Sequence, residues 1–115
     1  MVLWICFDLQ AEIEAGDEYN STALHFAAWK GKEAVAAQLL QAGASVSAVN
    51  DNGQTALHHA AYYGKSSIAN LLLQANASPT AVDNGSYKPA QRAKQRGNSD
   101  VAARLLEAEQ AAALK

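Results

Sequence analysis

Histidine and cysteine are the side chains of this sequence with the widest chemical range, and they are few. His58 follows His25 at an offset of 33, His59 comes directly after it, and Cys6 is the one cysteine. Their spacing matches neither the Cys-x-x-Cys nor the His-Glu-x-x-His pattern of metal sites. Cys6 lies in an apolar run with no histidine near it in sequence, so inert packing is the default for this thiol. We therefore predict no metal site, no cofactor and no catalytic residue.

The Asn-Gly pairs are the other local signals that could bear on ligand binding. A phosphate-binding loop needs further glycines and a following Lys-Ser or Lys-Thr, and neither Asn52-Gly53 nor Asn84-Gly85 has them. Asn-Gly is instead typical of tight turns. The second pair is predicted to repeat the first turn with a one-residue insertion. With no catalytic signature, the chain is not expected to be an enzyme.

Composition limits the class of protein. The chain has 115 residues, which favours one domain, and 50% hydrophobic with 17% charged residues is an ordinary globular mixture. A net charge of −2 gives no general attraction to nucleic acid or anionic membranes. The lone cysteine suits a reducing compartment, and Met1–Phe7 is too short for a membrane span and lacks the basic start of a signal peptide. We expect an intracellular protein, in the cytoplasm or in the nucleus.

The charges are segregated along the chain. The segment from Met1 to Glu18 contains five acids and no base, whereas the stretch from Lys88 to Arg104 contains five bases and one acid, Asp100. The molecule is therefore predicted to have an acidic end and a basic end. These ends are either solvated faces or a means of steering a partner. A nucleic-acid or membrane-surface binder that uses 88–104 is a further alternative, and its affinity would fall steeply with salt.

An internal repeat with a period of 33 organises the chain. Thr22–Gly31 aligns with Thr55–Gly64, and 17 of the 28 positions from Thr22 to Val49 are identical at that offset. A degraded copy begins near Lys88, and a partial copy precedes the first. A period of this length indicates stacked units, none of which buries its apolar face alone.

Each unit is predicted to contain two short helices. Thr22 and Thr55 are suitable N-caps, and the first helices should end at Gly31 and Gly64, where a left-handed backbone is easy. The second helices are predicted at about 32–41, followed by Gly43, and at about 65–74, followed by Asn76.

These spaced elements resemble the ankyrin repeat: Thr-x-Leu-His-x-Ala-Ala, then Gly, then a Leu pair, then Gly-Ala, at a period of 33. Ala23 and Ala56 depart from the family's usual Pro, which Pro89 keeps. The resemblance implies an all-α fold, a solenoid of stacked helix-turn-helix units with β-hairpin finger loops. Residues 1–115 would form a single domain, divided into a partial repeat (1–16), two repeats (17–49 and 50–82) and a degenerate capping repeat (83–115).

The resemblance also assigns the histidines a structural role. In families with this motif, the imidazole that follows Thr-x-Leu hydrogen-bonds to the Thr side chain and to the neighbouring loop backbone, which implies that role for His25 and His58. His59 occupies the position that Phe26 has in the preceding repeat. We expect it to be a packed core residue.

The implied function is binding to another protein, with no nucleic acid, membrane or small-molecule substrate as partner. Ankyrin arrays bind through a concave side made of the fingers and the exposed face of the first helices. The variable positions there, carried over to this chain, are Glu18, Tyr19, Ser21, Trp29, Lys30, Asp51, Asn52, Gln54, Tyr62, Tyr63, Ser86, Tyr87, Gln95 and Arg96. Tyr19, Trp29, Tyr62, Tyr63 and Tyr87 would form a continuous aromatic groove; alternatively, the aromatic side chains cover helix ends by packing on adjacent repeats.

The two ends of the array are expected to differ. The third copy is polar where the others are apolar, so we interpret it as the cap that completes the C-terminus. Residues 2–9 look like an outer helix without its inner partner, which favours a fragment of a longer array over an edge covered by a protomer or ligand. In that alternative the specific activity lies in another domain of the parent protein.

Overall fold

A computed structural model describes residues 22–113, which form six helices and contain no strand. The helices occur in three consecutive pairs joined by finger loops. Their bounds are α1 Ala23–Lys30, α2 Glu33–Gln41, α3 Ala56–Tyr62, α4 Ser66–Gln74, α5 Pro89–Gln95 and α6 Ser99–Ala113.

The local sequence explains where the first helix of each repeat begins and ends. In the second repeat, the Thr55 Oγ1 accepts a hydrogen bond from the His58 backbone N–H, and the Thr55 N–H donates to the His58 ring, which forms a reciprocal cap. Gly31 and Gly64 follow α1 and α3 with φ of 74° and 71°, a left-handed conformation that glycine adopts without steric cost. The predicted caps and helix ends are confirmed.

Small side chains allow the repeats to stack closely. The inner helices α1, α3 and α5 pack side by side, and the outer helices α2, α4 and α6 form a second layer behind them. Ala27, Ala60 and Ala93 occupy the same position of successive inner helices and are all buried. Leu57 and Ile68 are fully buried between the layers, so each unit contributes to a core that continues into the next.

The finger loops are turns built on one acceptor side chain. The Asn50 Oδ1 accepts from the backbone N–H groups of Asn52 and Gln54, and the Asn50 N–H donates to the Gln54 carbonyl at 3.0 Å. Asp83 does the same in the next finger, accepting from the N–H groups of Gly85 and Tyr87. Asn84 ties the two fingers together, because its N–H and side-chain amide donate to the carbonyls of Asn52 and Asp51.

The predicted one-residue insertion in the second finger is wrong. Asp83 takes the place of Asn50 at the full spacing of 33, and Ser86, with φ of 67°, takes the place of Gly53, with φ of 73°. The Asn84-Gly85 pair is therefore shifted by one residue relative to Asn52-Gly53 and does not form the equivalent turn. A serine is held in the left-handed region because the hydrogen bonds to Asp83 fix the loop.

Candidate functional site

Five rings form a contiguous surface across the first two inner helices, and we call them the aromatic cluster: Phe26, Trp29, His59, Tyr62 and Tyr63. Within α1, the Phe26 and Trp29 ring centroids are 6.0 Å apart, and Trp29 lies 6.1 Å from Tyr63 at the end of α3. Tyr63 also contacts Tyr62 at 4.9 Å and His59 at 6.3 Å, both edge to face. The cluster therefore crosses the boundary between two repeats.

Helical spacing explains why these residues share a face. Phe26 and Trp29 are three positions apart on α1, while His59 and Tyr63 are four apart at the end of α3, and residues at these spacings lie on the same side of a helix. Phe26, Trp29 and Tyr63 remain 37%, 38% and 41% exposed. The rings thus pack on adjacent repeats, as the alternative interpretation expected, and still leave a large part of their surface to solvent.

Three cations lie over aromatic rings on this side of the molecule. The Lys30 Nζ is 4.3 Å from the centroid of Trp29, and the Arg96 guanidinium carbon is 4.8 Å from that of Tyr62. The guanidinium carbon of Arg92, on α5, lies 4.5 Å from the centroid of Tyr87. Such contacts are favourable, because the face of an aromatic ring carries partial negative charge.

Arg92 also connects the second finger to α5. Its Nε and Nη2 each lie 2.7 Å from the Oδ2 of Asp83, a buried side chain. Burial alone would raise the pKa of Asp83, but hydrogen bonds from the Tyr87 N–H, Arg92 and the Gly85 N–H outweigh it, and the pKa lies below its usual value. The charge of Arg92 is therefore neutralised by Asp83, and the finger that carries Tyr87 is fixed to the helix.

A shallow cleft opens beside the cluster. It has a volume of about 250 Å³ and is lined by Gln54, His59, Tyr62, Tyr63 and Arg92. Its walls therefore come from the first described finger and from α3 and α5. The cleft therefore combines three ring side chains with one amide and one guanidinium group.

His59 is half-buried and faces this cleft, so the expectation of a packed core residue is wrong. Its ring contacts His25 edge to face at 5.2 Å. Burial lowers its pKa to about 4, with smaller contributions from the neighbouring His25 and His58. His59 is therefore neutral at physiological pH and acts on this surface as a fifth, weakly polar ring.

His25 and His58 link consecutive repeats. The Thr22 N–H donates to the His25 Nδ1 at 3.1 Å, so Nδ1 is an acceptor, and Nε2 then donates to the Gln54 carbonyl at 2.7 Å. His58 makes the equivalent bonds to Thr55 and to the Tyr87 carbonyl, the latter at 2.9 Å. Burial is the main cause that lowers the pKa of His58. The Thr22 and Thr55 hydroxyls also lie 2.9 and 3.0 Å from the Nδ1 of His25 and of His58, so the hydrogen bonds that the motif implied are confirmed.

The other predicted binding positions lie partly on the finger loops and partly outside the described residues. Asp51 and Asn52 are exposed on the first finger, where their carbonyls accept from Asn84, and Tyr87 is 37% exposed on the second. Tyr87 joins the aromatic surface through Arg92 and makes no ring contact with the cluster among residues 22–113. Glu18, Tyr19 and Ser21 lie outside the described residues.

Sequence analysis missed three residues of this surface: Phe26, His59 and Arg92. Phe26 lies three residues before Trp29, and His59 lies four residues before Tyr63, so each pair could have been placed on one helix face. The prediction considered only the positions just before the glycines. The position of Arg92 depends on its ion pair with Asp83, nine residues earlier in the chain, and on a turn whose register was misassigned.

Neither a metal centre nor a membrane span is found in the described part of the chain. Residues 22–113 contain no group of three histidine, cysteine or acidic side chains placed to hold a metal ion. No helix in that range is both long and apolar enough to cross a bilayer.

Comparison with known proteins identifies the family. The sequence model described as ankyrin repeats in three copies matches residues 2–83 and again 24–114. No curated protein matches the chain significantly. The family match covers nearly the whole sequence and agrees with three stacked helix pairs, each first helix followed by a left-handed glycine. The chain belongs to the ankyrin-repeat family, whose repeats are in general protein–protein interaction modules and are typically non-catalytic.

Proposed function

We propose that this chain binds another protein through the side of the stack that carries the finger loops and the aromatic cluster, and that it catalyses no reaction. The observation that carries the proposal is the exposure of Phe26, Trp29 and Tyr63 in one contiguous group that spans two repeats. Large exposed apolar groups of this kind mark interaction sites on soluble proteins. Tryptophan, tyrosine and arginine are also the residues most enriched among binding hot spots.

The surface is already ordered before a partner arrives. Each ring of the cluster contacts at least one other ring, and the inner helices that carry them are tied to the fingers through His25 and His58. Little side-chain entropy is then lost on binding, which leaves more of the interaction energy as affinity. Removal of a central aromatic anchor from such a site typically costs about 2 kcal/mol or more of binding free energy.

Paired alanine variants test the proposal. The intact chain, immobilised, captures partners from a lysate, which are identified by mass spectrometry and then titrated in purified form. Trp29→Ala and Tyr62→Ala together should abolish the specific binding, whereas Val35→Ala, at a 45% exposed position of the outer helix α2, should leave it unchanged. Far-UV circular dichroism checks that all variants keep their helical content.

The binding site would lie elsewhere on the molecule if the double variant kept its affinity for the partner. The same would follow if Val35→Ala lowered that affinity as much as the double substitution does.

A further inference from the structure

This inference rests on the proposed function and concerns the chemistry of the partner. We infer that the segment of the partner that contacts the aromatic cluster is an extended peptide, apolar in its middle and acidic towards both ends. The reasons are the positions of two cations, the occupied faces of the rings and the cleft beside them.

Lys30 and Arg96 are the two cations at the ends of the aromatic surface. Within residues 22–113, the ion pairs are Arg92–Asp83 and Arg104–Glu107, so no described carboxylate lies at ion-pair distance from Lys30 or Arg96. Both residues are exposed. Each is held over a ring, at 4.3 Å from Trp29 and 4.8 Å from Tyr62, which fixes its place at the rim. Carboxylates of a partner can therefore pair with both cations without displacing an acid of residues 22–113.

A basic partner segment fits this surface poorly. Aromatic rings can attract a lysine or arginine of a ligand, but here one face of Trp29 and one face of Tyr62 are already occupied by the chain's own cations. A cation that approached either ring would come close to Lys30 or Arg96 and would be repelled by it. Like-charge contacts of this kind reject wrong partners.

A single-stranded nucleic acid also fits poorly, although basic and aromatic residues are both present. Bases stack on open ring faces. Trp29 and Tyr62 each have a cation over one face, and the contacts of Tyr63 with Tyr62 and His59, at interplanar angles of 76° and 86°, are edge to face rather than a row of parallel platforms.

The distances set the length of the segment. From Lys30 the contacts run over Trp29, Tyr63 and Tyr62 to Arg96 in steps of 4.3, 6.1, 4.9 and 4.8 Å, so the two charges are at most about 20 Å apart. An extended chain rises about 3.3 Å per residue, so no more than about six residues are needed to cover that span. The acidic groups are thus expected at the two ends of a stretch of at most about six residues, with an apolar side chain between them in the cleft beside His59.

Defined peptides test the inference. The probe is an eight-residue peptide with two glutamates at each end and leucine and alanine between them. Binding is followed by the fluorescence of Trp29 in a Trp4→Phe background, where it is the only tryptophan. The comparison probes are the same peptide with lysine for glutamate, an isomer with its four glutamates in the middle, and a ten-nucleotide oligothymidine. We expect the acid-ended peptide to bind at least tenfold more tightly than the others, and its affinity to fall with added salt.

A charge-reversal pair locates the acidic contacts. Lys30→Glu with Arg96→Glu should weaken binding of the acid-ended peptide about tenfold or more, since two attractive pairs become repulsive. Lys32→Glu with Lys94→Glu changes the net charge equally at exposed positions outside the aromatic cluster, and should change the affinity less than about twofold. Circular dichroism of both double variants checks their fold.

Several results would overturn the inference. These are tighter binding of the lysine peptide or of the oligothymidine, equal binding of the isomer, or equal losses in the two charge-reversal variants. If no peptide binds while capture of a protein partner still depends on Trp29 and Tyr62, the acidic-peptide inference fails and the proposed function stands. If that capture is independent of Trp29 and Tyr62, the proposed function itself fails.

Discussion

His58 offers the strongest test of how the repeats hold together, because His59, beside it, provides a matched control. His58→Ala removes the acceptor for the buried Thr55 N–H and the donor to the Tyr87 carbonyl, and it opens a small cavity where a 1% exposed ring lay. An orphaned buried donor costs about 1–3 kcal/mol, the lost hydrogen bond about 1 kcal/mol, and the cavity adds to both. Since the effects overlap, we expect a loss of about 3 kcal/mol in the free energy of unfolding.

His59→Ala truncates the same side chain one residue later and removes only ring contacts with His25 and Tyr63. We expect this substitution to lower the free energy of unfolding by about 1 kcal/mol or less. Urea denaturation at neutral pH, followed by far-UV circular dichroism, measures both variants, and similar slopes against urea would justify the comparison. A loss for His58→Ala no larger than that for His59→Ala would refute the view that this histidine bridges the repeats.

Three further predictions concern His59 and the fingers. The pKa of His59 is lowered from 6.5 to about 4, so the unfolded chain binds a proton that the folded chain does not, and stability should fall by up to about 3 kcal/mol as pH drops from 6.5 to 4. His59→Phe, which copies Phe26, should remove much of that fall in denaturation series across this range. Gly53→Ala should lower the free energy of unfolding by about 2 kcal/mol, because the left-handed backbone at this position disfavours a Cβ. The added Cβ would also lie 2.9 Å from the Asn84 backbone nitrogen. Ser86→Gly, at the equivalent position, should instead leave urea stability unchanged or raise it by about 1 kcal/mol.

Local signals allowed the helices to be predicted accurately. Helix caps and left-handed glycines depend on only a few neighbouring residues, so they can be deduced from the sequence alone. This holds for the caps at Thr22 and Thr55 and for the glycines after α1 and α3. The outer helices begin one residue later than predicted, at Glu33 and Ser66. These elements follow from backbone preferences that hold in almost any context.

The second finger shows where sequence matching failed. The Asn-Gly pair at 84–85 suggested an insertion because glycine was taken as the marker of the turn. The turn is instead set by the side-chain acceptor at its start, Asn50 or Asp83, and Ser86 accepts the left-handed conformation. Applying the repeat period of 33 to Asn50, rather than matching one Asn-Gly pair to the other, would have given the correct register.

The aromatic surface could be predicted only in part, for a different reason. Trp29, Tyr62 and Tyr63 were found through the family pattern, but the contacts that join them to Phe26, His59 and the cations depend on side-chain packing between repeats. Such packing is a tertiary property, and neither propensity nor periodicity encodes it.

The contacts that hold the repeats together and the proposed binding surface share residues. Tyr87 accepts from His58 through its carbonyl, donates to Asp83 through its N–H, and has Arg92 over its ring, so one residue joins the repeat junction to the exposed face. A substitution at the junction should therefore weaken partner binding without touching the partner. Replacement of Trp29, whose side chain is 38% exposed and contacts its neighbours through ring faces and edges, should weaken binding with little loss of stability. The junction and the surface are thus separable mainly in one direction, because the surface depends on the stack more strongly than the stack depends on the ring contacts between repeats.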